Sequence, residues 1–161
     1  MLIPLHDRAG NVVAHATVDR RDYQRVVREG AWCLLRSGYV VRTKRQNGRQ
    51  LKIYLHRFIL GLGPGDPRVD HRNHDKLDNR RSNLRTATGS QNNQNRRGPQ
   101  RNSTSGRRGV IWDKAAGKWR AQAQLDGKYH FLGNYDDIDE ADRVASEWRS
   151  ENMPYATKAI G

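Results

Sequence analysis

Residues 68–97 read RVDHRNHDKLDNRRSNLRTATGSQNNQNRR, and the pattern in them is strand, strand, helix. An extended, apolar-led run ends in Asp70-His71, a loop of Asn, Asp and Arg follows, and an extended pattern resumes from Asn83 to Thr88. Thr88 or Ser90 can then cap a short helix carrying Gln91, Asn92, Asn93 and Asn95, because a hydroxyl oxygen satisfies free amides of the first turn. This succession gathers an Asp-His pair and helical amides around one small space. Each residue alone has an ordinary use. An Asp-His pair beside a turn commonly forms a surface hydrogen bond, Asn83 suits a turn, and a helical Asn is a solvated side chain or a phosphate contact. The joint spacing separates them from that background: twelve residues from His71 to Asn83 and twenty-two from Asp70 to Asn92.

The rest of the chain supplies the setting. Its formal charge of +13 points to a polyanionic partner, although a ribosomal or nucleoid protein without chemistry would carry the same charge. The charge is uneven: +8 over 1–60, +2 over 61–95, +5 over 96–108 and −2 over 109–161. Segment 96–108, RRGPQRNSTSGRR, has no apolar side chain to bury and reads as a flexible basic linker. Hydrophobic residues make up only 35% of the chain, which favours several small units over one large core. The single cysteine, Cys33, excludes an internal disulfide and a cysteine-ligated zinc ribbon. Its place between Trp32 and Leu34 suggests a buried apolar role. No apolar run approaches the roughly 20 residues of a membrane span, and the first residues open no signal peptide.

Upstream of the Asp-His stretch, two short strands flank a turn at Ala9-Gly10-Asn11. A helix is expected over 20–29, preceded by Asp19 and stopped by Gly30, with Tyr23, Val26 and Val27 as its apolar stripe. From Trp32 the period changes to two, and Asn47-Gly48 between alternating runs marks a hairpin. Residues 57–60 suggest a short helix ended by Gly61.

The stretch at 68–97 resembles the HNH endonucleases, especially the phage and intron-encoded subgroup whose third motif letter is Asn. The likeness rests on Asp70-His71, Leu77-Asp78-Asn79-Arg80, Ser82-Asn83-Leu84-Arg85 and Ser90-Gln91-Asn92, with Leu55-His56-Arg57 leading in. The resemblance implies a ββα-metal site that hydrolyses a DNA phosphodiester bond. In that role Asp70 and Asn92 would hold a divalent cation, Mg²⁺ or Mn²⁺, which prefers oxygen donors. Asn93 and Asn95 remain alternatives to Asn92, since helix phase decides between them. His71 would be the general base, its ordinary pKa of about 6.5 suiting neutral pH, and Asn83 would hold the loop behind it. Arg85 is a candidate DNA contact.

Residues 106–155 resemble the AP2 DNA-binding domain, a three-stranded sheet backed by one helix. The likeness rests on Arg108-Gly109-Val110, Gly117-Lys118-Trp119-Arg120-Ala121, Leu132-Gly133 and Asp139-Glu140-Ala141. Alternation puts Trp119, Ala121 and Ala123 on one face of the middle strand and Arg120, Gln122 and Gln124 on the other. Segment 136–152 carries −5 whereas 109–135 carries +2, so DNA is expected on the sheet. Arg suits guanine and Gln adenine in the major groove. Arg107, Arg108, Lys118, Arg120, Gln122 and Gln124 are the candidate contacts.

The expected fold class is therefore α+β in several modules. A small N-terminal antiparallel sheet with a helix (1–54) precedes a ββα-metal HNH core (55–97), a basic linker (98–105) and an AP2-like reader (106–155). The expected protein is a homing- or phage-type endonuclease of double-stranded DNA, its oligomeric state open with a monomer favoured, without a membrane, in the cytoplasm of a bacterium or phage-infected cell. A chain ended after Arg97 is expected to go on nicking DNA with less selectivity. The rival reading is a catalytically inactive DNA-binding regulator of the same fold.

Overall fold

The computed structural model describes residues 1–96 and 98–156, so Arg97, the last residue of the expected nuclease core, lies outside the described residues. The chain divides into two compact units, Met1–Ala87 and Thr88–Gly161. The sequence reading placed the division later, within 98–105.

The first unit is built on a five-stranded sheet ordered β2-β1-β3-β4-β5, with β1 at Leu2–His6, β2 at Val12–Thr17, β3 at Trp32–Leu34, β4 at Val40–Gln46 and β5 at Arg49–Tyr54. The sheet expected to be small and antiparallel is larger and mixed, because β1 and β3 run parallel. Helix α1, Arg20–Arg28, carries the chain back after β2, so that β3 joins the other edge of β1 in the same direction. Asn47 and Gly48 take φ of 50° and 73°, the left-handed pair a tight hairpin turn between right-twisted strands requires. Helix α2, Leu55–Leu60, ends at Gly61 with φ of 72°. Strands β6, Arg68–His71, and β7, Leu84–Ala87, then pair antiparallel.

One core serves all of these elements. Ile3, Leu5, Val18, Val26, Trp32, Val40, Leu55, Ile59, Val69 and Leu84 are buried together, so residues 1–54 and the strands of the Asp-His motif share a single apolar interior. Trp32 sits at its centre, its indole N–H donating to the Val26 carbonyl at 3.0 Å. With Trp32 turned inward, alternation turns Cys33 outward, and the thiol expected to be buried is exposed.

In the second unit the short helix α3, Gly89–Gln94, is followed by turns over 98–109 and then by strands β8, Val110–Asp113, β9, Lys118–Leu125, and β10, Lys128–Tyr135, in the order β10-β9-β8. Helix α4, Ile138–Asn152, packs on one face, and Val110, Ala121, Ala141 and Ala145 form a small core. Asp137 caps α4, its Oδ1 accepting from the amides of Asp139 and Glu140 at 2.6 and 3.1 Å. Trp148 of α4 lies against His130 of β10 with ring centres 4.7 Å apart. Among the described residues no helix is long and apolar enough to cross a membrane.

Candidate active site and nucleic-acid face

Strand β6 delivers the Asp-His pair, and its register with β7 sets what each side chain meets. Asp70 lies opposite Arg85, whose Nε and Nη2 both donate to Asp70 Oδ2 at 2.9 and 2.8 Å. Both partners are nearly buried, with side-chain exposures of 13% for Arg85 and 10% for Asp70. Such a forked, desolvated pair fixes the carboxylate far more firmly than a surface ion pair does.

His71 turns into an aromatic pocket. Its ring centre is 5.3 Å from that of His56 and 6.2 Å from that of Tyr39, and the Tyr54 ring closes on His56 at 5.5 Å. His71 Nε2 lies 3.4 Å from Asn79 Oδ1. Burial lowers the His71 pKa, while the Asn79 contact and the charge of Asp70 oppose that shift. Burial, then His71 and Arg57, pushes the His56 imidazole down to about 4. Two neutral rings thus pack edge to face, so of the two uses the sequence leaves His56, touching substrate or packing beneath the motif, the ring is seen packing.

The loop from 72 to 83 is tied by its own polar side chains. Asn83 Oδ1 accepts from the Asn73 amide at 3.0 Å, and its Nδ2 donates to the Asp78 carbonyl at 2.7 Å. Asp78 receives Arg80 Nε and Nη2 at 2.8 and 2.6 Å, and those bonds hold its carboxyl below the usual range. Asn79, only 1% exposed, exchanges backbone bonds with distant strand β2: Thr17 donates to Leu77 and Asn79 to Thr17, both at 2.8 Å. Arg81 forks onto Asp22 of α1 at 2.8 and 2.9 Å and also reaches the Ile59 carbonyl at 2.6 Å. Asn79 stands inside the quoted motif, so its type and place were visible; its hold on His71 was not.

Asn92 lies in α3, half-buried, and belongs to the second unit with Asn93 and Asn95. Thr88 caps that helix in a reciprocal box with Gln91, whose Oε1 accepts from the Thr88 amide at 2.8 Å.

On the second sheet Arg120 and Gln122 are half-buried and Gln124 is exposed, whereas Ala121 and Ala123 are buried. Across the β9–β10 register Gln122 faces Phe131 and Gln124 faces Tyr129, two aromatic side chains exposed at 64% and 73%. Arg120 pairs with Asp113 and lies over the Phe131 ring at 5.7 Å. Arg107 pairs with Asp139 and Asp142 of α4, and Lys118 with Asp136 at 3.1 Å. Arg108 is turned inward, donating to the backbone carbonyls of Asn93, Gln94 and Arg96.

A carboxylate and a neutral imidazole stand side by side on a strand, over a loop locked by asparagines, and such an imidazole can accept a proton. Residues 54–94 match the family model described as HNH endonuclease, and the chain carries an HNH endonuclease domain there; this family hydrolyses DNA phosphodiester bonds. A protein of Acanthamoeba polyphaga mimivirus, described as an uncharacterized HNH endonuclease, is 32% identical over 124 residues, 74% of this chain and 60% of the viral protein. The chain thus spans less than two thirds of that relative's length. No solved structure matches the chain.

Proposed function

We propose that the chain is a metal-dependent endonuclease of double-stranded DNA in which His71 is the general base. The observation that carries this reading is the buried His71 ring, kept neutral by its surroundings and fixed beside the Asp70 carboxylate. With Nε2 protonated and donating to Asn79, Nδ1 accepts the proton of the attacking water. Asn79 and Asn83 hold ring and loop in place, so little reorganisation accompanies the transfer. Asp70 offers a hard carboxylate oxygen, which suits Mg²⁺ or Mn²⁺, and Asn92 is the second protein ligand we assign. When bound, the cation supplies Lewis acidity to the scissile phosphate. Arg85 balances the charge of Asp70 and, on exchange for the cation, becomes a donor for phosphate.

We assign site recognition to the second sheet as an AP2-like reader of the homing or phage type. Arg120, Gln122 and Gln124 read base edges on the face away from α4, and Arg107 and Lys118 reach phosphates once released, Arg107 from Asp139 and Asp142 of α4 and Lys118 from Asp136 ahead of it. Those exposed pairs are weak and exchange readily.

Nicking of supercoiled plasmid with Mg²⁺ tests the reading. His71→Ala is expected to lose about 10²-fold or more in turnover with duplex affinity unchanged, and Asp70→Ala to lose metal dependence. Wild-type activity in excess EDTA would rule out the metal site. A wild-type protein that binds duplex but never nicks would establish the inactive regulator instead.

A further inference from the structure

We infer that Arg108 is a positioning residue for α3, so that the C-terminal module itself holds the helix carrying Asn92. Six residues make a helix too short to persist alone, and its last carbonyls have no partners within it. The Arg96 amide reaches the Asn93 carbonyl at 3.3 Å, and Arg108, just before β8, adds the rest: Nη2 donates to Asn93 and Gln94 at 3.1 and 3.2 Å, and Nη1 reaches Gln94 and Arg96. A cation at a helix C-terminus also meets the negative end of the helix dipole.

Two further ties come from other corners of the same module. Ser90 Oγ donates to Asp126 at the β9–β10 turn at 3.0 Å, and the buried Gln94 side chain accepts from the Tyr155 amide at 3.4 Å, beyond α4. The backbone is shaped for the clamp. Gly109 takes φ of +80°, and a Cβ there would stand 2.4 Å from the Gln122 carbonyl, so only glycine lets the chain pass this close to β9. Arg149 fixes the same corner, donating to the Arg108 carbonyl at 2.6 Å. A phosphate contact would need those guanidinium donors free, whereas here three backbone carbonyls take them. A chain ended after Arg97 therefore loses the cut together with the address, the opposite of the expectation from sequence.

The metal readout rests on the nuclease reading through Asn92; the helix readout does not. The experiment compares full-length wild type with Arg108→Ala and Arg108→Lys. Lysine keeps the charge that a phosphate would feel but cannot fork onto three carbonyls. Amide hydrogen exchange over 89–96 is expected to accelerate about ten-fold or more in both variants. Half-saturation by Mn²⁺, read from the free-ion paramagnetic signal with duplex present, is expected to rise about ten-fold. Duplex affinity of Arg108→Lys should stay within about three-fold of wild type. The inference is overturned if Arg108→Lys keeps wild-type exchange and Mn²⁺ binding while Arg108→Ala weakens all duplexes and cuts the salt slope by about one. Should Arg108→Ala not fold, Arg108→Lys alone decides. Faster exchange in the variants of a protein that never nicks would uphold the clamp and remove the nuclease reading.

Discussion

Among the described residues the first unit buries Asp22, His56, Asp70, His71, Asp78, Asn79 and Asn83, whereas the second buries only Gln94 and Asn95, both at the end of α3. The second unit instead turns Tyr129, Phe131 and Gln124 outward around a core of one valine and three alanines. Burying a polar group costs free energy unless its bonds are remade inside, and the first unit remakes them from residues far apart in the chain. There the fold and the chemistry draw on the same bonds. In the second sheet the outward face of Gln124, Tyr129 and Phe131 can vary while the interior stays as it is.

Arg81→Ala should break this contrast most severely. Asp22 has a side-chain exposure of 4%, and without the Arg81 fork only a single Arg25 bond at 2.9 Å and Arg21 at 4.0 Å remain. Removing one member of such a pair costs about 3 kcal/mol, read as a fall in the urea midpoint with loss of protection in β6 and β7. Lys118→Ala, which opens an exposed pair of the second unit, should leave the midpoint in place. Equal effects from the two substitutions would erase the distinction.

Acid should act next, and on the first unit. His56 is neutral when folded, with a pKa of about 4 against 6.5 for the free side chain. Below that higher value the unfolded chain binds a proton the folded one does not. The resulting stability is complete above pH 6.5 and declines as pH falls toward 4, by up to roughly 3 kcal/mol. Asp22 and Asp78, both held low by arginines, add to the loss only at more acid pH, as it falls through their folded values. Exchange protection of α2 and β6 at pH 7.5 and 4.5 measures the slope, and His56→Phe should flatten it. A first unit more stable at pH 4.5 would contradict the sign.

Gln122→Ala with Gln124→Ala should give the smallest structural effect and the clearest functional one. With the fold unmoved, site preference should relax about ten-fold, since a good bidentate base contact contributes roughly 1–3 kcal/mol of discrimination. Unaltered cleavage patterns would move recognition to the basic first sheet, where Arg42, Lys44 and Lys52 lie.

What the sequence disclosed was local. Asn47-Gly48 turns a hairpin with positive φ, and Thr88 caps α3, because each of these depends on neighbours within a few residues. The HNH motif was legible as spacing. Its supports were not: Arg81 finds Asp22 across 59 residues, and Arg108 finds the α3 carbonyls only once β8 has turned. Arginine offers five donors and no periodicity, so nothing in its neighbours says whether it meets DNA or its own backbone.

The bonds between Thr17 and the 77–79 backbone have a bearing on biosynthesis. Strand β2 leaves the ribosome before the segment it must grip, which follows 60 residues later, from Thr17 to Leu77. At about 5–20 residues per second, a nascent chain waits roughly 3–12 s with that strand edge open. The Asp-His strand β6 has by then been made but stands without its locking loop. A newborn chain therefore acquires an ordered pocket around His71 only when the first unit is nearly finished.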